Sequence, residues 1–327
     1  MLIREFTPGI ELDQVLLVRA VEVLTKRDGS EFLRLSLGDR SGQVQALVWD
    51  GVPEVAALAR PGDPVRVIGR YSVHSTHGPQ IVLRAVRAPV PGGFPLDDLL
   101  DGPERNVEEM EAEVRALVGT VRDSYLRVLL ERILGERSEV WAAFRTAPAA
   151  KHYHQAYRHG LLEHCLTVAQ AVGAVAATFP GIDRDMAVTG ALLHDIGKLE
   201  AYVTEGHLIA MTDDGRLQGE IPLGYYRVRR AIEELDGFPP ELEQALLHII
   251  LSHHGSREHG SPVVPCTREA TLVHMIDNLG GRLGSFDRIE KQLAGDERWS
   301  GFDRALGSGA FFGSRPVIEP VEQREAA

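Results

Sequence analysis

Two periodicities divide this chain. From Val15 to Arg87 apolar and polar residues alternate in short runs, VLLVRAVEVLT, EFLRLSLGD, GQVQALVWD, PVRVIGRYSV and QIVLRAVRA, separated by the turn signals RDGS, RSG and HGPQ. A period of two puts successive side chains on opposite faces, so each run predicts a β-strand. Val52–Arg60 (VPEVAALAR) interrupts with helical spacing, giving the order strand, strand, strand, helix, strand, strand. From Val107 onward the apolar residues recur at three- and four-residue spacing, first in Val107–Leu134. The same spacing returns in EHCLTVAQAVGAVAATF, DMAVTGALLHDIGKLEAY, GYYRVRRAIEEL, ELEQALLHIILSHH and REATLVHMIDNLGGRL. It predicts helices that each bury one apolar stripe.

Between the two regions PVPGGFPLDDLLDGPERN holds four prolines and three glycines in eighteen residues and reads as a linker. The predicted architecture is multidomain: an all-β barrel over residues 1–90, a linker over 91–105, an all-α bundle over 106–312 and a frayed polar tail over 313–327. The element order of the first part is that of the OB-fold barrel. In EFLRLSLG, Leu33, Leu35 and Leu37 share one face, and Phe32, Arg34 and Ser36 share the other. OB-folds that hold single strands combine basic and stacking side chains on strands two and three and their flanking loops. Lys26, Arg27, Phe32, Arg34, Trp49, Tyr71 and His74 are the candidates here. The alternative is that Trp49 and Tyr71 fill the barrel and the arginines are solubilising surface.

Charge narrows how a polyanion would be held. The net charge is -12, so no global positive field draws the chain to nucleic acid or to an anionic membrane. Of 35 Lys+Arg and 47 Asp+Glu, residues 1–90 hold 11 and 10, which leaves 24 and 37 for the remainder. Any polyanion contact is therefore local, and the first ninety residues are near neutral. Hydrophobic residues at 44% and charged residues at 25% are ordinary for a folded protein and exclude disorder as the main state. The two cysteines, Cys165 and Cys266, form no CxxC pair. The N-terminal text has no apolar stretch long enough for secretion or for a membrane span. The expectation is a cytoplasmic protein with no membrane partner.

Chemistry concentrates in the helical part. Ten of the thirteen histidines lie between His152 and His259, with His274 just after, and several share apolar helices with acids: GLLEHC, LLHDIGK, ILSHHG and HMIDN. His194 and Asp195 follow an apolar run, so an imidazole and a carboxylate would enter the interior together. An unpaired buried carboxylate is costly. A divalent cation offsets that cost, and nitrogen with carboxylate oxygen suits Mn, Fe, Co, Ni or Zn. A buried His–Asp pair is the bland alternative. Lys198, one turn on, is placed either to bind a phosphate oxygen as a point charge or to interact with a helix C-terminus. The adjacent His253 and His254 offer two rings, and Asp277 a further carboxylate.

The order His164, His194-Asp195, Asp277 resembles the HD superfamily of metal-dependent phosphohydrolases. More narrowly, AYRHGLLEHC, ALLHDIGKLEAY, HIILSHHGSREHGSPVVP and HMIDNLGGRL resemble blocks of the YhaM-like 3′-to-5′ exoribonucleases, which join an N-terminal OB-fold to an HD domain. The resemblance covers nearly the whole chain. It implies metal ligation by His164, His194, Asp195, His253, His254 and Asp277, with Lys198 after the doublet. One position departs: where the family has a histidine in a GHI-like block, this chain reads GEIPLGYY, which puts Glu220 there as a substituted ligand or leaves a weak second metal. A family glycine before GLLEH is here His159. With His152 and His154 it either lines an RNA path or is surface.

The resemblance implies an enzyme carrying one or two divalent ions, Mn2+ first among Mg2+, Co2+, Fe2+ and Ni2+. Its substrate would be single-stranded RNA, with single-stranded DNA as a further candidate, and its product nucleoside monophosphates. In the expected arrangement Asp195 bridges two cations, His164, His194 and Asp277 complete one, and Glu220, His253 and His254 the other. Asp195 and Lys198 are the expected catalytic residues, and a homo-oligomer is left open. Two alternatives remain at this point: an HD phosphohydrolase acting on small or cyclic nucleotides, and a non-catalytic single-strand binding protein.

Overall fold

The computed structural model describes the 327-residue chain except residues 27, 75–77, 91, 96–97, 101, 104, 152–154, 206–207, 294–296 and 314–327. The expected contacts Arg27 and His154, together with His152 and all but the first residue of the 313–327 tail, lie outside the described residues. The chain divides into two compact units, one formed by Met1–Leu99 with the segment from Ser285 onward, the other by Leu100–Gly284.

The first unit is built on a closed five-stranded barrel. Its elements are β1 (Glu11–Thr25), β2 (Glu31–Asp39), β3 (Gly42–Val48), α1 (Val52–Leu58), β4 (Pro64–His74) and β5 (Gly78–Arg87). Strands pair in the order β1-β2-β3-β5-β4, and β4 closes on β1. All pairs are antiparallel except β3 with β5, where Gln45, Ala46 and Leu47 face Gln80, Ile81 and Val82 in parallel. Helix α1 supplies the crossover that a parallel pair requires. This is the predicted OB topology, and the alternation sets what lies inside: Leu33, Leu35 and Leu37 are buried with Leu16, Val18, Val44, Ala46, Val65, Val67 and Ile81. Closure leaves no open sheet edge.

The second unit packs helices α2 (Val107–Gly119), α3 (Ser124–Leu134), α4 (Glu139–Phe144), α5 (Gly160–Ala176), α6 (Arg184–Leu193), α7 (Lys198–Ala201), α8 (Asp213–Leu217), α9 (Glu220–Glu233), α10 (Pro240–Ser252) and the first part of α11 (Arg268–Gln292). Asn106, Asp123 and Asp183 cap α2, α3 and α6 through side-chain acceptors, which satisfies first-turn N–H groups. Helix α6 is buried from Met186 to Leu193, and α5 packs against it on one side and α10 on another. A helix apolar all round belongs in the centre of a bundle.

Three details depart from the helical reading of this part. The run DMAVTGALLHDIGKLEAY does not form one helix: α6 ends at Leu193, His194 to Gly197 form a turn, and α7 follows. Tyr202 then opens a two-stranded hairpin, β6 (Tyr202–Glu205) with β7 (Leu208–Met211), within the helical bundle. Val203, Thr204 and Ile209 are β-branched, which favours extended backbone. The unit boundary also falls inside α11, at Gly284–Ser285, rather than at 312. Helical periodicity reports local conformation and carries no mark of the core on which each half of a continuous helix packs.

The close approach of α9 to the turn after α6 depends on Gly197. A Cβ there would lie 2.0 Å from the Glu220 carbonyl oxygen and 2.4 Å from the Gly224 nitrogen. Only glycine admits the start of α9 at this distance, and that approach brings Glu220 toward the turn carrying Asp195. Gly197→Ala should cost about 1–3 kcal/mol through backbone displacement. Calorimetry should show a lower melting transition, and titration a weaker divalent-cation affinity, because α9 carries Glu220.

Candidate metal centre

Five chain segments deliver polar groups to one place in the helical unit. His164 lies one turn into α5 among buried Leu161, Leu162, Cys165 and Leu166. His194 and Asp195 occupy the turn after α6, and Lys198 begins α7. Glu220 is the first residue of α9, His253 and His254 follow α10, and Asp277 projects from α11. Most of these positions are helix ends, where the backbone can present a side chain without interrupting a hydrogen-bond ladder. His164, His194, Asp195 and His253 are 1–2% exposed.

The polar atoms converge. His164 Nε2 lies 3.2 Å from Asp195 Oδ2, 3.1 Å from Asp277 Oδ1 and 3.2 Å from His194 Nε2. His194 Nε2 is 3.3 Å from Asp195 Oδ2 and 3.7 Å from Asp277 Oδ1. On the other side of Asp195, His253 Nε2 is 3.5 Å from its Oδ1, and His254 Nε2 is 3.4 Å from Glu220 Oε1. Two donor groups result, His164–His194–Asp277 and Asp195–His253–His254, each with its ligand atoms within 4.8 Å of one another. Lys198 Nζ donates to Asp195 Oδ2 at 2.6 Å.

The donor set fits a divalent cation on grounds of hydrogen bonding and charge. Asp195 Oδ1 and His253 Nε2 are buried without a hydrogen-bond partner. In a closed core such groups need a ligand or water. The other ring nitrogens are engaged: Nδ1 of His194, His253 and His254 faces the carbonyls of Ala191, Ile250 and His259 at 2.7, 2.8 and 2.8 Å, and Nδ1 of His164 faces Gln155 Oε1 at 3.0 Å. Donation from Nδ1–H leaves each Nε2 as a lone pair aimed inward. With neutral imidazoles, the carboxylates of Asp195, Asp277 and Glu220 face one ammonium, Lys198, an excess of two negative charges that a divalent cation matches.

Without a cation, protons take its place. Burial disfavours the His194 imidazolium, but Asp195 and Asp277 outweigh that and raise its pKa to about 10. Burial works against the Asp195 carboxylate too, yet Lys198 and His194 hold it well below the usual range, and His164 and His194 do the same for Asp277. Desolvation is likewise outweighed at Lys198, raised by Asp195, and at Glu220, lowered by His254 and Lys198. At His253 desolvation dominates and favours the neutral ring that a cation requires.

The remaining expected contacts lie in the barrel unit. Phe32 and Trp49 stack at 4.5 Å between ring centroids, and Lys26 Nζ sits 5.4 Å over the Trp49 ring. Trp49 is 48% exposed, so it does not fill the barrel. Arg34 is paired with Glu22 at 3.1 Å on the same outer face. Tyr71 departs from this group: it packs edge-on against Phe6 at 5.5 Å and belongs to the core margin. His74 is exposed at the end of β4. In the helical unit His159 adopts φ 69 at the N-cap of α5, with Nδ1 against the Arg145 carbonyl, so its ring serves the local turn. Two neighbours of the centre carried no signal in spacing: Gln155, and Tyr202, whose hydroxyl lies 3.4 Å from Glu220 Oε2.

Comparison with known proteins agrees with this division. The HD domain family matches residues 161–281, a span holding every residue of the two donor groups together with Lys198 and Glu220. The OB-fold nucleic acid binding domain family matches residues 17–87. The chain is 29% identical over 323 residues to the 3′-5′ exoribonuclease YhaM of Geobacillus sp. (strain WCH70), covering 97% of this chain and 95% of that protein. It is 32% identical over 288 residues to the Bacillus subtilis (strain 168) protein of the same name, covering 87% and 89%. For the Bacillus velezensis protein the identity is 31% over 290 residues, with 87% and 89% covered.

A pH prediction follows from His194. Its folded pKa, about 10, lies above the ordinary 6.5. Protonation of this ring therefore stabilises the cation-free protein fully below about pH 6.5, and that contribution disappears as pH rises through about 10. A bound cation needs the same nitrogen unprotonated. Apparent divalent-cation affinity should rise about tenfold per pH unit between about pH 6.5 and 8.5, as one proton is displaced. Calorimetric titration in buffers of different ionisation enthalpy checks both the slope and the proton count.

Proposed function

The chain belongs to the YhaM family of 3′-5′ exoribonucleases, and on that premise we propose that it is a metal-dependent 3′-5′ exoribonuclease that degrades single-stranded RNA to nucleoside monophosphates. The observation that carries this reading is the buried meeting of His164, His194, Asp195 and Asp277 with His253 and His254, which suits cation-assisted phosphodiester hydrolysis. Among the described residues no helix is long and apolar enough to cross a membrane, and both cysteines are free thiols, which supports a reducing, cytoplasmic setting.

His164, His194, Asp195 and Asp277 would hold one divalent ion, and Asp195, Glu220, His253 and His254 a second. Bound there, the ions supply Lewis acidity and an activated water at neutral pH. Glu220 in place of a histidine makes the second set richer in oxygen, and mixed nitrogen and carboxylate donors support Mn2+ as the ion. Lys198, an ammonium held at Asp195, offers a positive charge to a non-bridging phosphate oxygen. The apolar walls of α5, α6 and α10 keep bulk water from the imidazoles, which strengthens each charge interaction there.

The barrel gives the reading its polymer substrate. A stacked Phe32–Trp49 pair with Lys26 beside it offers exposed aromatic surface for a base and an ammonium for a phosphate. Every base has a π-face, so this contact is tolerant of sequence. Residues 1–90 thus bind the strand and the helical part hydrolyses it.

Replacing His194 and Asp195 together by alanine should reduce hydrolysis of 5′-labelled single-stranded RNA to background, in Mn2+ or Mg2+, while binding of the strand persists. Wild-type protein should give a ladder shortening from the 3′ end. Turnover confined to mononucleotides or cyclic nucleotides would replace the exonuclease reading. Trp49→Ala should raise KM for a long oligomer about tenfold, for about 1–3 kcal/mol of stacking, with kcat unchanged.

A further inference from the structure

Three of the four imidazoles in the centre are aimed by backbone. The acceptors for His194 and His253 are carbonyls three residues earlier, at Ala191 and Ile250, which the preceding helices supply whatever their side chains. His254 takes the His259 carbonyl. His164 is different, because its Nδ1 faces the Oε1 atom of the Gln155 side chain at 3.0 Å. That acceptor exists only because of the residue type at position 155.

The backbone around Gln155 is shaped for this contact. Gln155 has φ 54, a left-handed conformation uncommon for a residue with a Cβ. Its carbonyl accepts from the Ala149 N–H at 3.1 Å. It also lies against Gly160, the first residue of α5, where a Cβ would come within 2.0 Å of the Gln155 oxygen. Left-handed conformations at non-glycine residues are strained and persist where surrounding structure imposes them, often beside functional sites. Here the tight return of the chain onto the start of α5 sets the Gln155 amide beside a ring nine residues further on.

The amide has a chemical task. His164 Nε2 lies 3.1 Å from Asp277 Oδ1 and 3.2 Å from Asp195 Oδ2, so an Nε2–H tautomer would donate to those carboxylates and close the site on itself. A cation needs the opposite tautomer, with the proton on Nδ1. We infer that Gln155 is a positioning residue of the metal centre: its amide oxygen accepts the Nδ1–H of His164 and so keeps Nε2 as a lone pair for a divalent cation. Gln155 does this without adding a fourth carboxylate to Asp195, Asp277 and Glu220. It lies outside the 161–281 span that matches the HD domain family. The inference rests on the metal reading of the site.

Gln155→Gly and Gln155→Glu test it, with Mn2+ affinity read by calorimetric titration and the fold read by the melting temperature of cation-free protein. Glycine accepts φ 54 without strain and removes the acceptor. Gln155→Gly should therefore keep its cation-free melting temperature near that of the wild type while Mn2+ affinity falls about 10- to 100-fold, the usual effect of losing an outer partner of a ligating histidine. Gln155→Glu retains an acceptor of the same reach and should bind Mn2+ at least as tightly as wild type. Wild-type affinity in Gln155→Gly, or equal weakening in both variants, would overturn the assignment while leaving the metal centre intact. A wild-type protein that takes up no Mn2+ would instead remove the metal reading, and this inference with it.

Discussion

Asp195 is a carboxylate with 2% exposure in a helical core, and the arrangement of the second unit follows from keeping it charged. An isolated buried carboxylate would protonate rather than remain ionised. Here Lys198 donates to one oxygen at 2.6 Å, while the other faces His253 at 3.5 Å with no hydrogen bond of its own. The ammonium therefore compensates only part of the charge gathered by Asp195, Asp277 and Glu220. What is left over is an excess of negative charge among inward-facing imidazoles, the setting in which a divalent cation is proposed to bind.

This electrostatic demand explains features of packing that a purely apolar core would not need. Helix α6 stops at Leu193 so that His194 and Asp195 can leave helical register and face inward from a turn. Gly197 lets α9 approach that turn closely, and Glu220 Oε1 at the start of α9 lies 3.4 Å from Nε2 of His254 in the second donor group. The ring nitrogens turned away from the centre meet carbonyls or an amide oxygen, so each imidazole is held from behind. Held this way, the rings would keep their places with or without a cation, at the cost of holding like charges together.

Much of this was legible in the sequence because the patterns involved are short-ranged. Period-two alternation located the barrel strands and put Leu33, Leu35 and Leu37 inside. The clustering of His194, Asp195, His253 and His254 after apolar helices marked the centre, since ionisable groups seldom follow such runs without a partner. The exposed Phe32–Trp49 stack was visible as residue types, although the pairing of the two rings depends on strand register. For Tyr71 both readings were open, because an aromatic residue on a strand has two faces to choose from, and packing against Phe6 decided it. The β6–β7 hairpin was hidden by its neighbours, whose helical spacing runs up to Tyr202. Gln155 gave no sign, because an acceptor for a ring nine residues away leaves no periodic trace.

The distribution of charge joins the two parts into one functional argument. Residues after 90 carry 24 Lys+Arg against 37 Asp+Glu, so a polyanion gains nothing from their long-range field. On the proposed reading, a strand would be held where Lys26, Phe32 and Trp49 offer stacking and one local cation, because stacking is insensitive to the sign of distant charge. Binding built this way releases few counterions and so varies weakly with salt, unlike binding through many phosphate contacts. On the proposed reading, cations held at the buried centre would serve twice: they would balance its carboxylates, and they would supply positive charge that the acidic helical part otherwise lacks.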